Sequence, residues 1–240
     1  MIENIVSLVE DFRTIIERVF IVSDRYQLWL TGLQNTLIIA FFAVLIGLFL
    51  GFFLAMIRAS HDMMARPPVP LRILNRLVKI YISIIRGIPM MVQLMIFNFI
   101  ILAASRNGVL IGIIAFGINS SAYVTEILRG GILSIDKGQM EAGRSLGLSH
   151  GQTMRKIIMP QAIKNSIPAI GNEFITVLKE TSISGTVAIM DITRAGAVIR
   201  GLTYDPTPLI FVAAIYLVLV LFLEFLVGRM ERRLRRSDQR

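Results

Sequence analysis

Apolar residues run along this chain in long, nearly unbroken stretches separated by short polar ones, and the lengths of those stretches decide the fold class. From about Trp29 to Ile57 the sequence is apolar, and Arg58 closes the run. Leu71 to Ala104 is too long for one plain membrane-crossing helix. It opens with Arg72, Arg76 and Lys79 at helical spacing, so it is expected to begin outside the hydrocarbon. Within it, Arg86 to Pro89 reads RGIP; proline lacks an N–H and disfavours helix at the residue before it, so a kink is expected at Gly87 and Pro89. Val109 to about Leu128, Ala162 to Met190 and Pro208 to Val227 complete the set. Each run reaches the roughly 20 residues that a helix needs to cross about 30 Å of hydrocarbon. The pattern therefore predicts an all-α, polytopic membrane protein with five transmembrane helices.

Ahead of the first run, Ile5, Leu8, Val9, Phe12, Ile15, Ile16 and Val19 recur at helical spacing, with Glu10, Asp11, Arg13 and Glu17 between them. That is the pattern of a helix lying in the membrane interface. Its acidic, amphipathic character is unlike the basic-then-apolar start of a cleavable signal peptide. The chain divides into an interfacial segment (1–27), a transmembrane domain (28–230) and a basic tail (231–240).

Composition strengthens the membrane reading. With 55% hydrophobic and 17% charged residues, a soluble domain of 240 residues has more apolar surface than it can bury. Cysteine is absent, which removes disulfides, thiolate nucleophiles and Cys-based metal sites. His61 and His150 are too few and too far apart in sequence to suggest a cluster, so no metal site is expected. The formal charge of +9 points to anionic lipid rather than nucleic acid, because in a membrane chain Lys and Arg gather in cytoplasmic segments. Arg58, Arg66, Arg72, Arg76, Lys79 and Arg86 fill one such segment; Arg129, Lys137, Arg144, Arg155, Lys156 and Lys164 fill a second; the tail adds Arg229, Arg232, Arg233, Arg235, Arg236 and Arg240. The other side carries only Arg106, Arg194 and Arg200. The expected orientation is C-terminus in the cytoplasm and N-terminus outside.

One cytoplasmic stretch is an island of polarity between apolar runs: EAGRSLGLSHGQTMRKIIMP, Glu141 to Pro160. Asp136 to Leu146 holds good helix formers, Gly147 suits a left-handed helix end, and Ser149 with Gln152 three residues on is a capping-box signature for a second helix. A helix, a tight turn and a helix are expected over 136–160, with an apolar tip at Leu146 and Leu148 that invites a partner.

Glu141, Ala142 and Gly143, three residues, Gly147, nine residues, Ile157, one residue, Met159 and Pro160 resemble the EAA loop of bacterial ABC importer permeases, with Gly143 and Met159 departing from its alanine and leucine. GLQNTL (Gly32 to Leu37), YISIIRGIPMMVQL (Tyr81 to Leu94) and NEFITVLKETSI (Asn172 to Ile183) resemble segments of the polar amino-acid uptake permeases, a group that includes histidine and glutamine systems. The resemblance implies a type I ABC importer permease fold in a bacterial cytoplasmic membrane. It implies a second permease subunit, identical or related, and two cytosolic ATPase subunits that carry the ATP and Mg and grip the EAA loops. It also implies an extracellular solute-binding protein that delivers a polar amino acid. No P-loop of the form GxxxxGK[ST] occurs in the chain, so no cofactor or catalytic residue is expected on it. The amphipathic N-terminus is then an anchor, or a surface for the partner permease or the binding protein.

Intramembrane polar residues are the candidates for a path, since each charge buried in a span costs about 2.5–3.5 kcal/mol unless it meets a cavity or a partner. Glu173, Thr176, Glu180 and Ser184 are spaced by three and four on one helical face, with Lys179 about 100° round from Glu180. Asn119, Tyr123 and Glu126 form a shorter stripe on the third span. Together they supply both signs that an amino-acid zwitterion needs. The same residues equally suit ion pairs across a permease–permease interface, with Glu126 and Asn172 nearer the cytoplasmic ends. Gly87 and Pro89 likewise suit either a flexing hinge or a static bend. Rival readings are a permease for another solute, such as methionine, an opine or a phosphonate, and an ion-gradient-driven secondary transporter. An integral membrane enzyme is disfavoured because no nucleophile–base or metal constellation is recognisable.

Overall fold

A computed structural model of the chain describes residues 10, 13–64 and 66–236. Ile5, Leu8, Val9, Asp11 and Phe12 of the expected interfacial helix, and the end of the basic tail, lie outside the described residues. Among the described residues every regular element is helical. Three single helices are long and apolar enough to cross a membrane: α1 (Tyr26–Met63), α4 (Gly108–Leu133) and α8 (Pro208–Arg236). Two bent pairs supply up to two further spans: α2 (Val69–Gly87) with α3 (Met90–Ile101), and α6 (His150–Val187) with α7 (Ile192–Thr203). Between α4 and α6 stands the short helix α5 (Lys137–Ser145).

The longest contact in the molecule runs between α1 and α4. Small residues make it possible: a Cβ placed on Gly47 would lie 2.7 Å from Ser120 Oγ, and one on Gly117 would lie 2.8 Å from Ile46 Cβ. Between membrane helices there is little hydrophobic drive, so such close backbone approach, with its dispersion contacts, holds the pair together. Ile39, Ala43, Leu94, Phe116 and Leu178 fill the space among α1, α3, α4 and α6. In contrast, only 6% of the most apolar stretch of α8 is buried, and Leu217, Val218, Leu221, Phe222 and Phe225 point outward. Those side chains suit lipid, which places α8 at the periphery.

At Gly87–Pro89 the expected kink is a turn of 103° between α2 and α3. A break this sharp strips carbonyls of their helical partners, and Gln93 supplies replacements: its Nε2 donates to the carbonyl oxygens of Ile85 and Ile88, each at 2.7 Å. The segment Glu17–Ile21 packs against α1 and α8. Trp29 Nε1 donates to Val19 O at 3.3 Å, Phe20 stacks on Trp29, and Phe211 meets Phe20 edge-on.

Candidate coupling loop and intramembrane polar residues

The polar island folds as two capped helices, and each cap can be traced to its residues. Asp136 Oδ1 accepts from Gly138 N at 2.6 Å and starts α5. Gly147 ends it at φ +83°, with Gly147 N donating to Arg144 O and Leu148 N donating to Gly143 O, the pair of bonds that defines a Schellman end. Ser149 and Gln152 then form the expected capping box, Gln152 N donating to Ser149 Oγ at 3.2 Å and Ser149 N to Gln152 Oε1 at 2.8 Å. Leu146 stands at the apex with 81% of its surface exposed, and Leu148 is half-buried beside it. Glu141, Ala142 and Pro160 are exposed, Ile157 is half-buried, and Gly143 is buried against Thr153 and Ile157.

The expected separate second helix is instead the first part of α6, which continues unbroken from His150 to Val187. Pro160 lacks the N–H for the helical ladder, and its ring would crowd the carbonyl four residues back. A widened turn over Met154–Ile158, with Met159 N donating to Met154 O, absorbs the misfit just before it. The second part of the island, from His150, and the fourth apolar run are therefore a single rod. Its base is apolar: Ala59 of α1, Ile132 of α4, and Met154, Ile158 and Ala162 of α6 pack together, with Met56, Met63 and Met140 around them. A groove of about 260 Å³ at this base is lined by Asp62, Lys137, Met140, Glu141 and Ile158 among others.

Just above that base lies a network of charges. Glu126 receives Arg58 at 3.4 Å and Arg129 at 2.8 Å, and Arg129 also reaches Asp62 at 3.2 Å. Glu126 is thus a cross-brace between α1 and α4. Arg58, expected only to close a span, is 9% exposed and supplies the partner. The rest of the third-span stripe divides: Asn119 is buried, and Tyr123 carries the Arg86 guanidinium over its ring at 5.1 Å.

Along α6, Glu173 is buried and accepts from Ser120 Oγ of α4 at 2.7 Å. Ser184 is fully buried with a hydroxyl that finds no partner within the described residues, and Glu180 is half-buried. Thr176 and Lys179 face outward. Sequence reasoning missed Ser120, which sits between Asn119 and Ser121 with nothing to say which helix it faces, and missed Arg58, because only the pairing of α1 with α4 brings it to Glu126; Arg129, three residues along α4 from Glu126, was within reach of a helical-spacing argument.

The model of the family described as binding-protein-dependent transport system inner membrane component matches residues 63–236, which include the island, Glu126 and Arg129 of the charge network, and the polar face of α6. The chain belongs to that family. This permease is 38% identical to the arginine transport system permease protein ArtQ of Bacillus subtilis (strain 168) over 87% of its own length and 93% of that protein. It is 34% identical to the putative glutamine transport system permease protein GlnP of Rickettsia typhi (strain ATCC VR-144 / Wilmington), covering 85% and 91% of the two chains. Its fold superposes with a TM-score of 0.77 on a chain from the crystal structure of an amino acid ABC transporter with histidines, 40% identical, covering 87% and 94%. It is accordingly an inner-membrane, multi-pass transport component with a type I ABC importer permease fold.

Proposed function

We propose that this permease carries polar amino acids into a bacterial cell as half of a paired translocation unit, driven by a separate ATPase that grips Glu141–Pro160. The observation that carries the proposal is the rigid, doubly capped island with Leu146 at its apex, continuous with the rod of α6. A docking knob must keep its shape while force passes through it, and caps at every helix end do that. Because the turn that carries Leu146 and Leu148 leads directly into the capped start of α6, a push on it becomes a tilt of the helix that carries Glu173 and Glu180. ATP and Mg are bound by two ATPase subunits, and a solute-binding protein delivers the substrate at the far face. Orientation follows the positive-inside rule, with island and C-terminus in the cytoplasm. The exposed Lys179 and Thr176 favour a second permease copy, identical or related, against this face of α6.

The amino-acid assignment is supported by the arginine and glutamine systems among its relatives. Asn119, Tyr123, Glu126, Glu173, Thr176, Lys179, Glu180 and Ser184 are the proposed path and interface residues; of these Glu173, held by Ser120, is best placed to meet an α-ammonium group. The test is ATP-driven uptake of labelled L-arginine and L-glutamine into vesicles containing the permease with its ATPase and binding protein, wild type against Gly147→Asp. A side chain at φ +83° strains the turn by about 1–2 kcal/mol and adds charge beside the apex. Uptake that depends on ATP and is lost in Gly147→Asp, at unchanged membrane level, supports the reading. Uptake that ignores ATP, or a fully active variant, overturns it in favour of a secondary transporter.

A further inference from the structure

The motif GLQNTL in α1 lies against the break between α6 and α7, at the end of α6 away from the island. The chain leaves helix after Val187, passes Ala188 at φ +62°, and restarts at Ile192 with a bend of 45°. Such a break leaves carbonyls and N–H groups without helical partners in a segment where Ile189, Asp191 and Ile192 are buried. Two side chains of α1 satisfy them. Asn35 Nδ2 donates to Met190 O at 2.8 Å, and Thr36 Oγ1, fully buried, accepts from Ile192 N at 3.3 Å. Gly32 lets the two backbones touch, because a Cβ there would lie 2.7 Å from Asp191 O. Asp191 completes the joint: its carboxylate caps α7 by accepting from Thr193 N at 2.9 Å and Arg194 N at 3.0 Å, and Tyr216 of α8 donates to it at 3.4 Å.

We infer that Gly32, Asn35 and Thr36 form a latch that fixes the α6–α7 break as a rigid elbow, making them positioning residues for transport although they line no path. The other break is held differently, by Gln93 of its own bent pair. A Cβ on Gly87 would meet nothing within 4 Å, whereas the α6–α7 elbow is pinned by backbone contact and by hydrogen bonds from two neighbouring helices. Resting on the transport reading above, the latch makes α1, the far end of α6 and α7 travel as one body, so that a tilt started at the island arrives at α7 undiminished.

The test uses the complete complex with its ATPase in nanodiscs, comparing wild type with Thr36→Val, Asn35→Ala and Thr36→Ser. Hydrogen exchange over 188–195 should quicken by about fivefold in Thr36→Val and Asn35→Ala, with 209–225 unchanged and Thr36→Ser like wild type. In the same two variants the ATP hydrolysed per L-arginine taken up should rise severalfold. Wild-type exchange over 188–195 overturns the latch whatever transport does, and so does a loss of uptake and hydrolysis in strict proportion to the folded complex. Absence of arginine uptake in the wild type counts instead against the transport reading, while the exchange result still decides the latch.

Discussion

Gly143 shows how one neighbour can dictate a residue. The EAA pattern has alanine at this position, yet here a Cβ would lie 2.5 Å from Thr153 Cγ2 and 2.9 Å from its Oγ1. Thr153 is itself fixed, fully buried with Oγ1 donating to Ser149 O at 3.0 Å, so it has nowhere to retreat. Restoring the alanine is therefore expected to harm this permease. Gly143→Ala should destabilise the island by about 1–3 kcal/mol, as overpacking does, and Thr153→Ser, which removes the clashing methyl, should recover part of it. Limited proteolysis of the island and ATP-driven uptake, measured across the four-variant cycle, check this; additive losses would mean that the two sites do not feel each other. At this scale the sequence is informative only where a residue acts on its own backbone. Gly147 and Ser149 were legible because caps are local. The need for Gly143 was not, because Thr153 meets it only after the chain has turned back.

At the scale of elements, breaks in the helices matter as much as the helices. RGIP announced its break through Pro89, but a proline says nothing about angle, and the turn of 103° is held by a side chain four residues on. Gln93→Leu keeps the volume and removes the donor. It should leave the carbonyls of Ile85 and Ile88 short of partners, at a cost of about 1–3 kcal/mol, and loosen α2 against α3. Hydrogen exchange over 84–96 should then rise while α4 stays protected, and uptake should fall; unchanged exchange would show that packing alone sets the turn. The α6–α7 break was legible only as the end of the fourth apolar run at Met190, with no sign of its angle or of α7 beyond it. Val187 to Ile192 contains no proline or glycine, and the run through Met190 looked like continuous span. Asn35, Thr36 and Tyr216, which lie far away in sequence, bond Met190 O, Ile192 N and the Asp191 carboxylate there. The opposite error occurred at Pro160, where a proline suggested a boundary and the widened turn before it let the helix continue.

For the whole molecule, the membrane class and the order of the apolar runs were plain because hydropathy is a bulk property, while lateral pairing depends on matched small residues and buried charges that no single run displays. The brace between α1 and α4 is the case with most consequence. Arg58 lies 11% exposed at its side chain, and Glu126, 24% exposed, is its ion-pair partner among the described residues. Removing one member of such a pair leaves the other as an uncompensated charge, whereas removing both can be nearly neutral. Glu126→Gln should therefore lower the stability of the assembled permease by about 1–3 kcal/mol, discounted because the carboxylate still touches solvent. Replacing both, Arg58→Met with Glu126→Leu, should restore much of that stability while leaving Arg129 tied only to Asp62. If the brace merely holds the fold, the double variant transports as well as it melts. If it transmits the tilt of the island base into α1, the double variant stays folded yet hydrolyses more ATP for each amino acid carried. Thermal denaturation and the ratio of hydrolysis to uptake, measured on the same preparations, separate the two outcomes.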